Sequence, residues 1–202
     1  MSNLIYSQPA NRTDINATMT SLKNNGINTF IVDNMEQARD KVLQLIPRGA
    51  EVMEMTSVTL DAIGLSQALR SKEYILVKDK LNTIKDEREK KRLGAAPQFA
   101  IGSVHAVTHA GEIFIASATG SQLSAYAYGA DKVIWLVGTQ KIVKDKETAM
   151  KRITEYTLPL ESERARKAYG VEGSAINKML MINKEINPDR IHIIFINQNI
   201  GF

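Results

Sequence analysis

The chain has 202 residues, 44% hydrophobic and 24% charged, with a formal charge of +4, three histidines and no cysteine. That length suits a single domain over residues 1–202, with a core large enough to need no covalent staple. Without thiols there is no disulfide, no thiol catalysis and no cysteine-held zinc or iron–sulfur centre within the chain, and nothing in the sequence asks for a cofactor. No apolar run approaches the roughly 20 residues of a bilayer span, and the start Met-Ser-Asn-Leu-Ile-Tyr lacks the basic and apolar regions of a signal peptide. A membrane association is therefore not expected, and a cytoplasmic location is the default.

Residues 1–26 form an N-terminal helical segment in which Thr13 caps a helix and Gly26 ends it. The β-branched run 27–32 predicts a strand. Asn34 then caps a helix whose Met35, Ala38, Val42, Leu45 and Ile46 share one face. Residues 51–55 predict a strand, followed after Thr56-Ser57 by one helix carrying Leu60, Ile63, Leu65, Ala68 and Leu69. A short strand is expected at 74–77. Residues 78–92 hold seven basic and four acidic residues, a mixture that reads as a solvated helix face. With no aromatic residue for base stacking there, nucleic-acid binding is not expected.

Residues 99–101 predict a strand, and 104–110 either a short helix or an irregular crossing. Residues 112–116 predict a strand, 121–128 a short helix, and 132–137 a strand apolar on both faces, as in a parallel sheet. Residues 147–156 read as helix, which Pro159 is expected to interrupt. The loosely patterned stretch 157–173 is a helical or loop excursion. Ser174 is expected to cap a helix bearing Ile176, Met179 and Leu180, and 191–196 is the last strand. The alternation predicts an α/β fold, a mainly parallel sheet with helices on both sides. The Met179-Leu-Met181 run and the segment 156–169 offer apolar surface for a homo-oligomer.

In such a sheet, ligands sit beyond the carboxyl ends of the strands. Thr56, Ser57 and Thr59 stand where a strand passes into a helix, and free amides there favour an anion; Ser57 is equally readable as an ordinary N-cap. Ser117, Thr119, Gly120, Ser121 and Gln122 form a second small, polar turn. Neither turn matches a Walker motif or the dinucleotide glycine fingerprint. Both turns are expected to bring their amides to one cleft, with Lys141 and His105 as its cationic or titratable neighbours. Lys141 has the competing reading of a surface lysine. His105 and His109 would share a face if helical, but without a third ligand or a His-Glu-x-x-His pattern no metal is expected. Glu54 is either a carboxylate base or nucleophile at a strand end or a solvent-facing residue, and His192 a core or edge histidine with a satisfied hydrogen bond.

The runs 56–64, 102–111, 116–122 and 137–143, with the closing Pro188-Asp-Arg-Ile and Gly201-Phe202, resemble the LUD (lactate-utilisation) domain over roughly residues 14–202. The resemblance implies a three-layer α/β/α fold of the kind shared by ribose-5-phosphate isomerase, glucosamine-6-phosphate deaminase and CoA transferases. It implies a role in organic-acid utilisation, L-lactate included, with a small anionic metabolite as ligand and iron–sulfur partner subunits. Ser57, Thr59, Thr108, Gly111, Thr119 and Gly120 match the family's small or polar positions. His109 stands where members often carry an acidic residue, which weakens a carboxylate role there. A second class of function stays open: a non-catalytic ligand-binding or regulatory module sensing a sugar phosphate or organic acid.

Overall fold

The computed structural model describes residues 2–70 and 74–202. A 3-10 turn at Ser2–Ser7 leads into α1 (Arg12–Asn24), β1 (Asn28–Val32), α2 (Met35–Leu45), β2 (Glu51–Glu54), α3 (Val58–Ala62) and α4 (Leu65–Arg70). There follow β3 (Ile75–Leu76), α5 (Val77–Thr83), α6 (Glu87–Ala95), β4 (Phe99–Gly102), β5 (Ala106–Thr108), β6 (Ile113–Ser117) and a π-helical turn, Ala125–Gly129. The chain ends with β7 (Lys132–Gly138), β8 (Ile142–Val143), α7 (Lys146–Lys151), a π-helical segment Arg152–Thr157, α8 (Leu158–Tyr169), β9 (Lys178–Ile182) and β10 (Ile191–Ile196).

Six strands make the main sheet in the order β1-β10-β7-β4-β2-β3, with every neighbouring pair parallel. The central strands are apolar throughout because both faces are buried. Val133, Trp135, Val137, Ile191, Ile193 and Phe195 enter one core with Ile15 and Leu22 of α1 and Ala125 and Tyr126 of the π-helical turn. Ile134, Leu136, Ile194 and Ile196 enter the other with Ala38 and Val42 of α2, Leu60 of α3 and Leu65 and Leu69 of α4. Strand alternation thus feeds two cores from one apolar run, and the architecture is three-layer α/β/α.

A second sheet, order β8-β5-β6-β9, lies on the α1 side. In it β6 runs antiparallel to both β5 and β9. One face adds Val107, Ile113 and Ile115 to the α1 core; the other packs Ala106, Phe114 and Ala116 against Ala149 and Ile153. Sequence alternation alone did not reveal this sheet.

Several local expectations are corrected. Residues 104–110 contain strand β5 rather than a helix. The run after Ser174 is strand β9, not a Met-bearing helix: Leu180 and Ile182 face the α1 core while Met179 packs on the opposite side. The open edge of β6 supplies the tertiary partner that overrides the helical spacing of 176, 179 and 180. The expected helix after Ser57 is two short helices broken at Gly64, whose φ of 65° lies in the left-handed region. The cap of α1 is Asn11, accepting from Asp14 N–H, rather than Thr13. The charged stretch is also two helices, the second capped by Asp86. Pro159 does not interrupt the helical path, because it sits in the first turn of α8, where a missing N–H is tolerated. Gly170, at φ 68°, ends α8. Among the described residues, no helix is long and apolar enough to cross a membrane.

Candidate functional site

A cavity of about 320 Å³ opens beyond the carboxyl ends of β2, β4 and β7. These strands are neighbours, so the turns that follow them come together. They contribute Thr56, Ser57 and Thr59, then Ser103 and His105, then Lys141. The facing wall comes from the end of β6, with Ala116, Ser117, Thr119 and Gln122. Leu158, Glu161, Arg164 and Tyr169, around and along α8, form the rim with Ile176.

Lys141 is the most unusual member. Its residue is 2% exposed. Nζ lies 3.3 Å from Thr59 Oγ1 and 3.0 Å from Ser103 Oγ. Ser103 donates its own proton to the Leu136 carbonyl at 2.7 Å, and Thr59 donates to Ser103 at 3.4 Å. Both hydroxyl oxygens therefore accept from the lysine. Among the described residues no carboxylate pairs with it. Burial, and secondarily the Arg152 charge, push its ammonium well below the ordinary lysine value.

The sequence Gly138-Thr-Gln-Lys141 explains how a lysine is turned inward. A Cβ at Gly138 would collide with the Gln140 side-chain oxygen and with Ile200. Glycine thus lets Gln140 fold back, and its Nε2 donates to the carbonyls of Ile200 at 2.9 Å and Gly201 at 3.2 Å. Gly201 packs so closely on Thr59 that a Cβ there would strike the threonine hydroxyl. The last residues thereby brace the threonine that holds Lys141.

His105 is half-buried in the wall. Its Nδ1 accepts from Ala116 N–H at 3.1 Å, which places the ring proton of the neutral form on Nε2. Burial, then the charges of Lys141 and Arg152, lower its pKa to about 3. The imidazole is therefore neutral at physiological pH rather than a cationic neighbour of the cleft. Arg152 is wholly buried behind it and donates from Nη1 to the His105 carbonyl at 2.6 Å and to Thr157 Oγ1 at 3.0 Å. Burial lowers its pKa to about 10, so it stays charged. Among the described residues its Nε and Nη2 have no hydrogen-bond partner, and its guanidinium lies 5.2 Å from the Tyr156 ring centre. Burial also raises the pKa of Tyr126, which lines the cavity as a neutral phenol. At the rim Glu161 receives two 2.7 Å bonds from Arg164, whose guanidinium lies over Tyr169.

Of the residues singled out from sequence, Thr56, Ser57, Thr59, Ser117, Thr119, Gln122, Lys141 and His105 line this one cavity. Gly120 and Ser121 lie just outside it; the left-handed Gly120 makes room for the Lys178 side chain, whose Nζ donates to the Thr119 carbonyl. Thr108 lies elsewhere, exchanging hydrogen bonds with Glu112 at the β5–β6 turn. His109 is not in the cavity wall, and its backbone N–H donates to the Val143 carbonyl. Glu54 is buried, and the single hydroxyl of Ser66 on α4 lies 2.7 Å from both of its carboxylate oxygens, sharing one proton between them, outside the cavity. His192 is paired through Nε2 with the Asp189 carbonyl at 3.0 Å. Among the described residues no cluster of three or more potential ligands could hold a metal ion.

The expected convergence of two helix starts is also corrected. The two turns meet, but not as twin helix starts of one sheet, since β6 belongs to the second sheet. The amides of Gly120 and Ser121 already donate to the hydroxyls of Ser117 and Thr119. Ser57 makes no side-chain cap bond and α3 has only five residues. The polar groups that face the cavity are side chains rather than helix N-termini. Sequence reasoning missed Ser103, Arg152, Tyr126 and the α8 residues. Ser103 was readable, since it directly follows a strand ending in glycine; the others depend on long-range packing.

Fold and cavity together define a three-layer α/β/α protein with a ligand-sized cleft at the carboxyl edge of a parallel sheet. The chain belongs to the LUD domain family, whose model matches residues 15–196. Among solved structures it is similar to a DUF162 family protein from Deinococcus radiodurans. The two superpose with a TM-score of 0.59 at 10% identity, over 93% of this chain and 99% of that one. At that identity the likeness establishes the fold. A comparison with curated proteins gives no match.

Proposed function

We propose that this chain binds a small anionic metabolite, a carboxylate or phosphate of organic-acid metabolism, L-lactate utilisation included, in the cavity around Lys141. The observation that carries the reading is a buried lysine lining the cavity with no acidic partner among the described residues. An anion entering the cavity supplies the missing countercharge and favours the protonated form that burial disfavours. Arg152, held charged behind His105, adds positive potential. The Ser57 hydroxyl and the side-chain N–H groups of Gln122 line the cavity as donors, each bond to a charged ligand worth about 1.5–3 kcal/mol. These 202 residues hold no cysteine, so any cysteine-held iron–sulfur centre working with this site lies outside them.

Thermal shift and calorimetric titration with phosphate, L-lactate, pyruvate and sugar phosphates test the reading. Stabilisation of the wild-type protein by at least one of these anions, lost in Lys141→Met, is expected. No shift by any of them at millimolar concentration overturns it.

A further inference from the structure

The same lysine supports a second, chemical role, which rests on the binding reading above and names its substrate class. We propose that Lys141 is a nucleophilic amine that condenses with the carbonyl of a small 2-oxo acid to form an imine.

The hydrogen-bond geometry carries the proposal. A neutral amine has two N–H bonds and one lone pair. Thr59 Oγ1 at 3.3 Å and Ser103 Oγ at 3.0 Å are both acceptors toward Nζ, because each hydroxyl has another acceptor for its own proton. The two N–H bonds are thereby engaged, and the lone pair is left for the cavity that Lys141 lines. A lysine held for structure alone ordinarily pairs with a carboxylate or keeps its head in water; this one is 2% exposed and has no carboxylate partner among the described residues. Its neighbours favour the uncharged form: Arg152 is cationic, His105 is neutral with its Nδ1 spent on Ala116 N–H, and Tyr126 is a neutral phenol. Desolvation of a lysine amine is one general route to such nucleophilicity.

The reaction balances without a further reagent. The Nζ lone pair attacks the carbonyl carbon and forms the N–C bond. The carbonyl oxygen takes the two amine protons and leaves as water, giving the C=N bond. Protonation of that imine restores a positive charge beside the carboxylate of the 2-oxo acid. The positive charge that the ammonium holds with a simple anion is held by the iminium with a 2-oxo acid, so one site serves both.

Reductive trapping tests this with the wild-type protein. Glyoxylate is added near pH 7 with cyanoborohydride, and carboxymethylation of each lysine is read by peptide mass spectrometry. The exposed lysines, Lys144 and Lys146 among them, serve as internal references. Lys141 is expected to be labelled at least about tenfold faster than these, as its amine is less protonated at that pH. Excess phosphate should slow its labelling and leave the references unchanged. Lys141 labelled no faster than the exposed lysines overturns the imine. Anion binding without a Lys141 adduct sinks the imine alone and leaves the binding reading standing. A preferred Lys141 adduct that excess phosphate does not slow supports the imine and narrows the site to 2-oxo acids.

Discussion

Replacing Lys141 by methionine keeps the length and apolar stem of the side chain and removes the nitrogen. The folded protein holds this amine below its ordinary value, so in the window between the folded pKa and the unfolded value of about 10.4 the unfolded chain binds a proton that the folded chain does not. Stability of the wild type therefore rises with pH through that window, by at most about 1.4 kcal/mol per pH unit, and levels off above it. In a domain of this size that is at most about 3–6 °C in Tm per pH unit. The variant also loses two hydrogen bonds, worth about 0.5–1.5 kcal/mol each, which offsets the comparison by an amount nearly independent of pH. Urea unfolding of both proteins at pH 6, 7, 8 and 9, read as wild type minus variant, cancels the other titrating groups. The difference should climb toward alkaline pH. A flat difference, or one that falls as pH rises, refutes the claim that the folded state disfavours the ammonium.

The remaining predictions are more local. His105, held near pKa 3, is a base whose folded value lies below its unfolded value of about 6.5. Its contribution is present above about pH 6.5 and drains away as the pH falls toward 3; His105→Gln, followed by circular dichroism, should flatten that acid limb, and unchanged acid sensitivity would count against it. Anion binding that protonates Lys141 should weaken by up to about tenfold per pH unit on the alkaline side, and calorimetry in buffers of different ionisation enthalpy should show proton uptake; equal affinity at pH 6 and 9 would exclude the coupling. Asn34→Ala removes the 2.9 Å bond to Gln37 N–H that caps α2, at a cost of about 1 kcal/mol in denaturant unfolding; an unchanged midpoint would show the cap to be idle. Gly102→Ala drives a methyl into the Tyr126 hydroxyl and should cost about 1–3 kcal/mol, with partial recovery in the double variant carrying Tyr126→Phe; equal losses in both would place the strain elsewhere.

The sequence by itself determined the frame. The uninterrupted apolar runs at 132–137 and 191–196 are what strands buried on both faces require, and alternation with amphipathic segments such as α2 leaves a parallel sheet between helices as the economical solution. The polar strand ends were legible for the same reason, because in a parallel sheet the carboxyl ends share one edge. Tertiary structure alone decided the rest. Whether 174–182 is helix or strand depended on the unpaired edge of β6, a partner absent from any local window. Whether Lys141 meets water or the cavity floor depended on Gln140 reaching Ile200 and Gly201, sixty residues away. Thr108 and Thr119 look alike in sequence, yet one is consumed by Glu112 in a tight turn and the other stands in the cavity wall. Hydrophobic period is a local property and can be read along the chain; the burial of one amine, and its lack of a countercharge, are properties of everything that packs around it.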